Sequence, residues 1–278
     1  MVFLKEKLEE HKIWKENFQT DFETLPENIR DICEYGFTEM LNNAIDHSEG
    51  TRAIIRTEWE PGSITITIDD DGIGIFRKIK NALNLEDERE SVLHLSKGKF
   101  TTDPENHTGE GIFFTSRVFD EFLIFSYKVY YQRENRDEDW FIETFKNSKL
   151  LGTGLRFKIN LSSKIQMREV FAEFTSEDTD GRTKFDKTHI IVQLSKLGDE
   201  RYVSRSQARR ICLGLENFKQ VVLDFKDVSR VGQGFVDEVF RVFQSKHPKI
   251  KIEYTNTGED VRFMIERSLP FVTAGEES

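Results

Sequence analysis

The most constraining stretch of this chain is Ser63–Asp70 and the loop after it. Ile64, Ile66 and Ile68 alternate with Thr65 and Thr67, the two-residue period of a strand with one buried face. Asp70 continues the even series. A carboxylate is therefore delivered along the apolar face, where it must find hydrogen-bond donors. Gly72 and Gly74 follow at once, leaving room for a ligand or another backbone to come close. Asp69 and Asp71 read as members of a tight acidic turn.

The surrounding pattern predicts the elements that frame this strand. Leu4, Leu8, Ile13, Trp14 and Phe18 fall at helix-like intervals, so an amphipathic helix is expected to about Phe22. Pro26 suits a first helical turn, and a second helix runs to about His47. Strand Ala53–Glu60 pairs with Ser63–Asp69 through Pro61-Gly62, a hairpin signal. A helical segment continues to about Leu95. Ser96–Glu110 is polar, with two glycines and Pro104, and reads as a long loop. A helix from Gly111 to near Asp120 follows, then strands at Glu121–Tyr131, Asp139–Lys146 and Gly154–Leu161.

Residues 166–187 are the expected linker. Beyond them the chain alternates strand His189–Leu194, helix Ser204–Leu215, strand Val221–Phe225, helix Gly234–Ser245, strand Ile250–Tyr254 and helix Thr257–Glu266. That rhythm marks a small α/β domain. The expected division is residues 1–165, a linker 166–187, and residues 188–278.

Charge narrows the function. Residues 1–160 hold 21 Lys and Arg against 31 Asp and Glu, whereas residues 161–278 hold 19 of each. An acidic first half is a poor match for a nucleic-acid backbone. A nucleotide could still bind, given local donors and a metal ion offsetting the repulsion. No run of about 18 apolar residues marks a membrane span, and the start turns charged at Lys5, unlike a secretory signal. Two distant cysteines, Cys33 and Cys212, fit a reducing cytoplasm.

Three further clusters carry chemistry. Glu39, Asn43 and Asp46, at i, i+4 and i+7, share one helix face within about 60°. Thr108-Gly109-Glu110-Gly111-Ile112 opens a helix, where free N–H groups and glycines make an anion site. Gly152-Thr153-Gly154 precedes a strand. In this order the clusters resemble the GHKL superfamily of gyrase, large heat-shock chaperones, histidine kinases and MutL, over roughly residues 20–162. The resembling residues are Glu39-x-x-x-Asn43-Ala44-x-Asp46, Asp70-x-Gly72-x-Gly74, Gly109-x-Gly111 and Gly152-Thr153.

The resemblance implies a Bergerat-type α/β sandwich, a mixed sheet backed by helices, with ATP and Mg²⁺ under a flexible lid. By position it implies that Asn43 coordinates Mg²⁺, that Asp70 accepts the adenine amine, and that Thr153 supports the base. Gly72, Gly74 and Ile75 form the loop beside the adenine. Thr108, Gly109, Glu110, Gly111 and Ile112 face the phosphates. Glu39 is the general base, Asp46 a hydrogen-bonding support, and Lys97, Lys99 and His107 are candidate phosphate contacts. Phe113 stands where the glycine motif normally carries a further glycine. No dimerisation helix with a phosphorylatable histidine precedes these motifs, so an ordinary sensor kinase is not expected.

Val221–Phe235 is similar to the STAS domain, and Phe235-Val236-Asp237-Glu238 matches a pattern of the STAS-like domain of unknown function. The turn Gly232-Gln233-Gly234 lacks the hydroxyl that anti-sigma-factor antagonists present, which implies a docking or regulatory role. The reading that follows is a cytoplasmic, Mg²⁺-dependent ATP-binding regulatory protein with an unidentified protein partner. The alternatives are an anti-sigma-type serine/threonine kinase and a non-catalytic, nucleotide-dependent interaction module.

Overall fold

The computed structural model describes residues 1–4, 9–101, 108–134, 138–143, 151–177, 180–195, 202 and 204–269. The chain divides into two compact units, Met1–Phe185 and Asp186–Ser278.

In the first unit, seven strands form one sheet in the order β1-β2-β3-β7-β4-β5-β6. They are β1 (Val2–Leu4), β2 (Arg52–Glu60), β3 (Ser63–Asp70), β4 (Glu121–Ser126), β5 (Val129–Glu134), β6 (Glu138–Glu143) and β7 (Gly154–Asn160). Every pairing is antiparallel, so the expected mixed sheet is corrected. Hairpins join β2 to β3 and β4 to β5, which leaves those neighbours no parallel option. The expected single strand Glu121–Tyr131 is the β4–β5 hairpin, turning at Tyr127 with φ 54°. Residues 144–146 of the expected strand Asp139–Lys146 lie outside the described residues.

The even positions of β3 are buried, as the alternation requires: Ile64, Ile66 and Ile68 are fully enclosed. Helices cover this face: α1 (Glu10–Asn17), α2 (Gln19–Phe22), α3 (Glu27–Asn42), α4 (Ile75–Leu83), α5 (Glu90–Lys97) and α6 (Gly111–Val118). Trp14 and Phe18 pack on Phe37 of α3 with ring centroids 5.1 and 5.0 Å apart. Leu4, expected on the first helix, is instead in edge strand β1, paired with Arg52, and Leu8 lies outside the described residues.

The expected linker holds structure of its own. Helix α7 (Met167–Phe174) and hairpin strands β8 (Thr175–Glu177) and β9 (Thr183–Phe185) occupy it. Phe171 stacks on Phe114 at 3.9 Å, and Phe174 meets Phe113 edge-on at 5.0 Å. These apolar rings draw the stretch into the core of the first unit, so the boundary falls at Phe185/Asp186.

The second unit has a three-stranded parallel sheet, β10 (Lys187–Ile191), β11 (Gln220–Asp224) and β12 (Lys251–Thr255), with β11 central. Helix α8 (Arg205–Cys212) connects the first two. Ser204 and Gln207 close its start with a capping box, Ser204 Oγ accepting the Gln207 N–H and Gln207 Oε1 the Ser204 N–H. Helix α9 (Gln233–Asp237), continued by a π-helical segment Glu238–Phe243, connects the next two. Asp237 and Glu238 of the quoted pattern tie α9 to α8. Arg205 and Arg209 donate to them at 2.9 Å. No helix among the described residues is long and apolar enough to cross a membrane.

Candidate functional site

The strand end of β3 builds one wall of the site. Asp70 is only 8% exposed. Its Oδ1 accepts the N–H groups of Gly72 at 2.8 Å and Thr153 at 3.2 Å, while its own N–H donates to the Thr153 carbonyl at 2.9 Å. Thr153 Oγ1 in turn accepts the Ile75 N–H at 3.0 Å, just where α4 begins. Gly152 makes this closeness possible. Its φ is +94°, and a Cβ there would sit 2.1 Å from the Asp70 carbonyl oxygen, so only glycine fits. Ser126 Oγ donates to the Gly152 carbonyl at 2.9 Å. The acid that the alternation delivered is thus met by backbone donors from two loops.

Beside it, Asp71 takes the N–H groups of Thr51 and Arg52 at 2.6 and 2.9 Å. Burial pushes its carboxyl up, but these bonds and those from the Thr51 and Arg52 side chains outweigh burial and hold it well below the usual range.

The second wall is helical. Glu39 and Asn42 on α3, then Asn43, His47 and Ser48, line the cavity. After Asn42 the helix loosens into a π turn, Asn43–His47. A π turn advances less than 100° per residue, so the face expected to carry Glu39, Asn43 and Asp46 is broken after Asn43. His47 faces the cavity, whereas Asp46 is exposed and outside its lining. Lys78 of α4 holds the end of this turn, Nζ donating to the His47 carbonyl at 2.7 Å and to Glu49 Oε1 at 3.2 Å.

Opposite lies the start of α6. A Cβ at Gly111 would stand 2.1 Å from Glu39 Oε2, so Gly111 leaves the space that the carboxylate fills. Burial raises the Glu110 carboxyl, against the lowering charge of Lys99. Tyr35 is raised by burial and by the charges of Glu39 and Glu110.

The cavity has a volume of about 270 Å³. Of the residues expected from the sequence, Glu39, Asn43, Asp70, Gly74, Ile75, Thr108, Gly109, Glu110, Gly111, Ile112 and Thr153 line it. Four do not. Gly72 donates to Asp70 from behind the wall, and Asp46 is displaced as described. Lys97 is 2% exposed at the end of α5, and the Lys99 ammonium stands 5.4 Å over the Phe185 ring. His107 lies outside the described residues.

Sequence reasoning missed Asn42, His47, Ser48, Lys78, Ile79, Leu95, Phe100, Thr101 and Leu155, which also line the cavity. Lys78 was within reach, being one helical turn after Gly74. His47 was not, because nothing in the local sequence announces the π turn. Among the described residues no group of three or more His, Cys, Asp or Glu could hold a metal ion.

Two stretches of the chain match known families. Residues 31–162 match the model of the histidine kinase-, DNA gyrase B- and HSP90-like ATPases. Residues 207–262 match the STAS-like domain of unknown function. No curated protein sequence matches the chain. Among solved structures, the B subunit of DNA gyrase from Myxococcus xanthus aligns with 10% identity and a TM-score of 0.30. The alignment covers 49% of this chain and 39% of that one, so the chain spans well under half of that subunit. The first unit therefore carries a GHKL-type ATPase domain. The second carries a STAS-like domain.

Proposed function

We propose that this chain is a cytoplasmic, Mg²⁺-dependent ATP-binding regulatory protein, with ATPase activity of GHKL type, whose loaded state controls docking of its STAS-like domain or of a protein partner. The observation that carries the reading is that Asn43, Asp70 and Gly109–Gly111, from three distant stretches, line one cavity.

Asp70, with Oδ1 anchored by two backbone N–H groups, presents its carboxylate to the adenine amine. Thr153 supports the base and, through Ile75, fixes the start of α4. Gly109 and Gly111 offer backbone N–H groups to the phosphates. Glu39, held against Gly111, orients the attacking water and accepts its proton. Lys78 adds positive charge to a rim that also holds Glu39 and Glu110.

The donor set fits Mg²⁺. A single amide oxygen, from Asn43, suits an ion that keeps most of its shell as water and phosphate oxygen, and no all-protein cage is needed. When bound, Mg²⁺ offsets the charge of the phosphates beside these carboxylates. A grip on the γ-phosphate favours an arrangement of the Ser96–Glu110 stretch that ADP does not, and this difference is the signal. Cys33 and Cys212 are buried free thiols, which fits a reducing compartment.

Calorimetric titration with ATP and ADP, with and without Mg²⁺, tests the reading on wild type and Asp70→Asn. Losing a charged acceptor should weaken ATP binding by about tenfold to a hundredfold, roughly 1.5–3 kcal/mol. A melting curve reports any loss of the Gly72 and Thr153 bonds. Wild-type affinity in a folded Asp70→Asn protein would overturn the adenine assignment. Label from γ-labelled ATP arriving on protein, instead of free phosphate, would make the activity a kinase.

A further inference from the structure

Phe113 stands where the resembling glycine motif normally carries a glycine, and its surroundings show what the ring does. It lies 4.6 Å from Phe185, with the Arg117 guanidinium 3.4 Å over its face. Phe114, the next residue of α6, is 5.1 Å from Phe185. Phe185 therefore rests on the first turn of α6, the helix that begins at Gly111.

The same ring touches the other end of the loop. Gly98 and Lys99 have φ of +79° and +60°. A Cβ at Gly98 would meet Phe185 at 2.8 Å, and the Lys99 ammonium stands over the ring. The Lys99 N–H donates to the Gly109 carbonyl at 3.1 Å. Both ends of the stretch that brings Phe100 and Gly109 to the cavity are thus tied together, and the Gly98–Lys99 end leans on Phe185.

Asp186 follows with no spacer. It is 2% exposed in the second unit. Its carbonyl accepts the N–H groups of Lys219 at 2.7 Å and Gln220 at 3.1 Å, and its carboxylate pairs with Lys219 Nζ at 2.8 Å. Phe185 is 3% exposed. The last anchored residue of one unit and the first of the other are consecutive, so a single peptide bond joins the two anchors.

We propose that Phe185 is a positioning residue for the phosphate side of the cavity and the relay by which occupancy there reaches the STAS-like domain. The proposal rests on the nucleotide reading above. Phosphates that draw the Gly109–Gly111 backbone inward pull on the Lys99–Gly109 pair and on α6, and both bear on one ring. A close-packed aromatic cluster passes such a displacement on as a repacking and does not absorb it.

Amide hydrogen exchange on the full chain, with and without ATP and Mg²⁺, tests the relay in wild type, Phe185→Ala and Phe185→Leu. In wild type, nucleotide should slow exchange at residues 108–112 and also at 187–191 and 220–224. In Phe185→Ala, slowing near Asp70 should persist, ATP affinity should fall about tenfold, and the response at 187–224 should vanish. Phe185→Leu, which refills the space, should restore part of both. A full second-unit response in Phe185→Ala, or none in a wild type that is slowed at the cavity, overturns the relay. Should Phe185→Ala fail to fold, Lys99→Ala reads the same contact from the loop side, and an undiminished response there overturns the relay. No slowing anywhere in wild type sinks the nucleotide reading, and the relay with it.

Discussion

The two walls of the cavity are built by different means. On the sheet side, Asp70, Gly72, Thr153 and Ile75 are joined by hydrogen bonds of 2.8–3.2 Å donated by backbone N–H groups. A Cβ at Gly152 would collide with main-chain atoms. On the helix side, the residues stand on a π turn, a loop end and a helix start, and the atom nearest a Cβ at Gly111 is the tip of a flexible glutamate. One wall is locked by main-chain contacts. The other rests on side-chain contacts that can yield. On the function proposed above, recognition of a flat base belongs on the first, and chemistry with a nucleotide-dependent response on the second.

The largest expected effect is on the helical wall. Glu39→Gln should lower turnover by about 10²–10⁴ while leaving nucleotide affinity unchanged, measured by phosphate release beside calorimetry. Full turnover would remove Glu39 as the base and erase the chemical half of the contrast.

A pair of glycine substitutions sharpens it next. Gly152→Ala should cost about 2–4 kcal/mol of stability in denaturant unfolding, since strained backbone and main-chain atoms cannot yield. Gly111→Ala should cost less than about 1 kcal/mol, because the Glu39 carboxylate can swing away, and should instead depress turnover. Equal stability losses in the two variants would mean the walls are equally rigid.

Acidification also acts on one wall. Burial, aided by the charge of Lys97, pushes His94 on α5 down to about 3 from an ordinary 6.5. Between those values the unfolded chain binds a proton that the folded chain does not, so stability falls as pH drops below about 6.5. The slope from this group is at most about 1.4 kcal/mol per pH unit, and His94→Gln should flatten it. Asp71, beside the sheet wall, is held below its ordinary 3.8. Its contribution is present above that value and is lost only in stronger acid. Exchange measured at pH 5 should therefore quicken in α5 before the Asp70–Gly74 turn. The reverse order would contradict the contrast.

How much of this was legible follows the same division. The alternation through Ile64, Ile66 and Ile68 placed Asp70 correctly because strand periodicity is local and the acid had to find donors nearby. The glycine pairs around it were readable as close approaches. The helical wall was legible only in part. Glu39 and Asn43 lie where a regular helix puts them, but the π turn moves Asp46 away and brings His47 in. Lys97 and Lys99 were expected at the phosphates because they are basic and near the loop, yet one is buried and the other stands on an aromatic ring. The stretch 166–187 looked like a tether for its polar middle. Its phenylalanines, spread at 171, 174 and 185, find partners on α6, on Tyr35 of α3 and at Gly98–Lys99, tertiary facts that no local window contains.

The π turn after Asn43 has a consequence for comparing this chain with others. It acts as one surplus tooth in the winding of the helix, so any register counted from Glu39 slips by about a place beyond Asn43. A helix of the same length wound without the π turn would bring the equivalent of Asp46 back beside the cavity and turn the equivalent of His47 outward. Deleting Ile45 from this chain would instead remove the surplus residue and leave His47 seven positions after Glu39, where a regular helix keeps the imidazole on the cavity side.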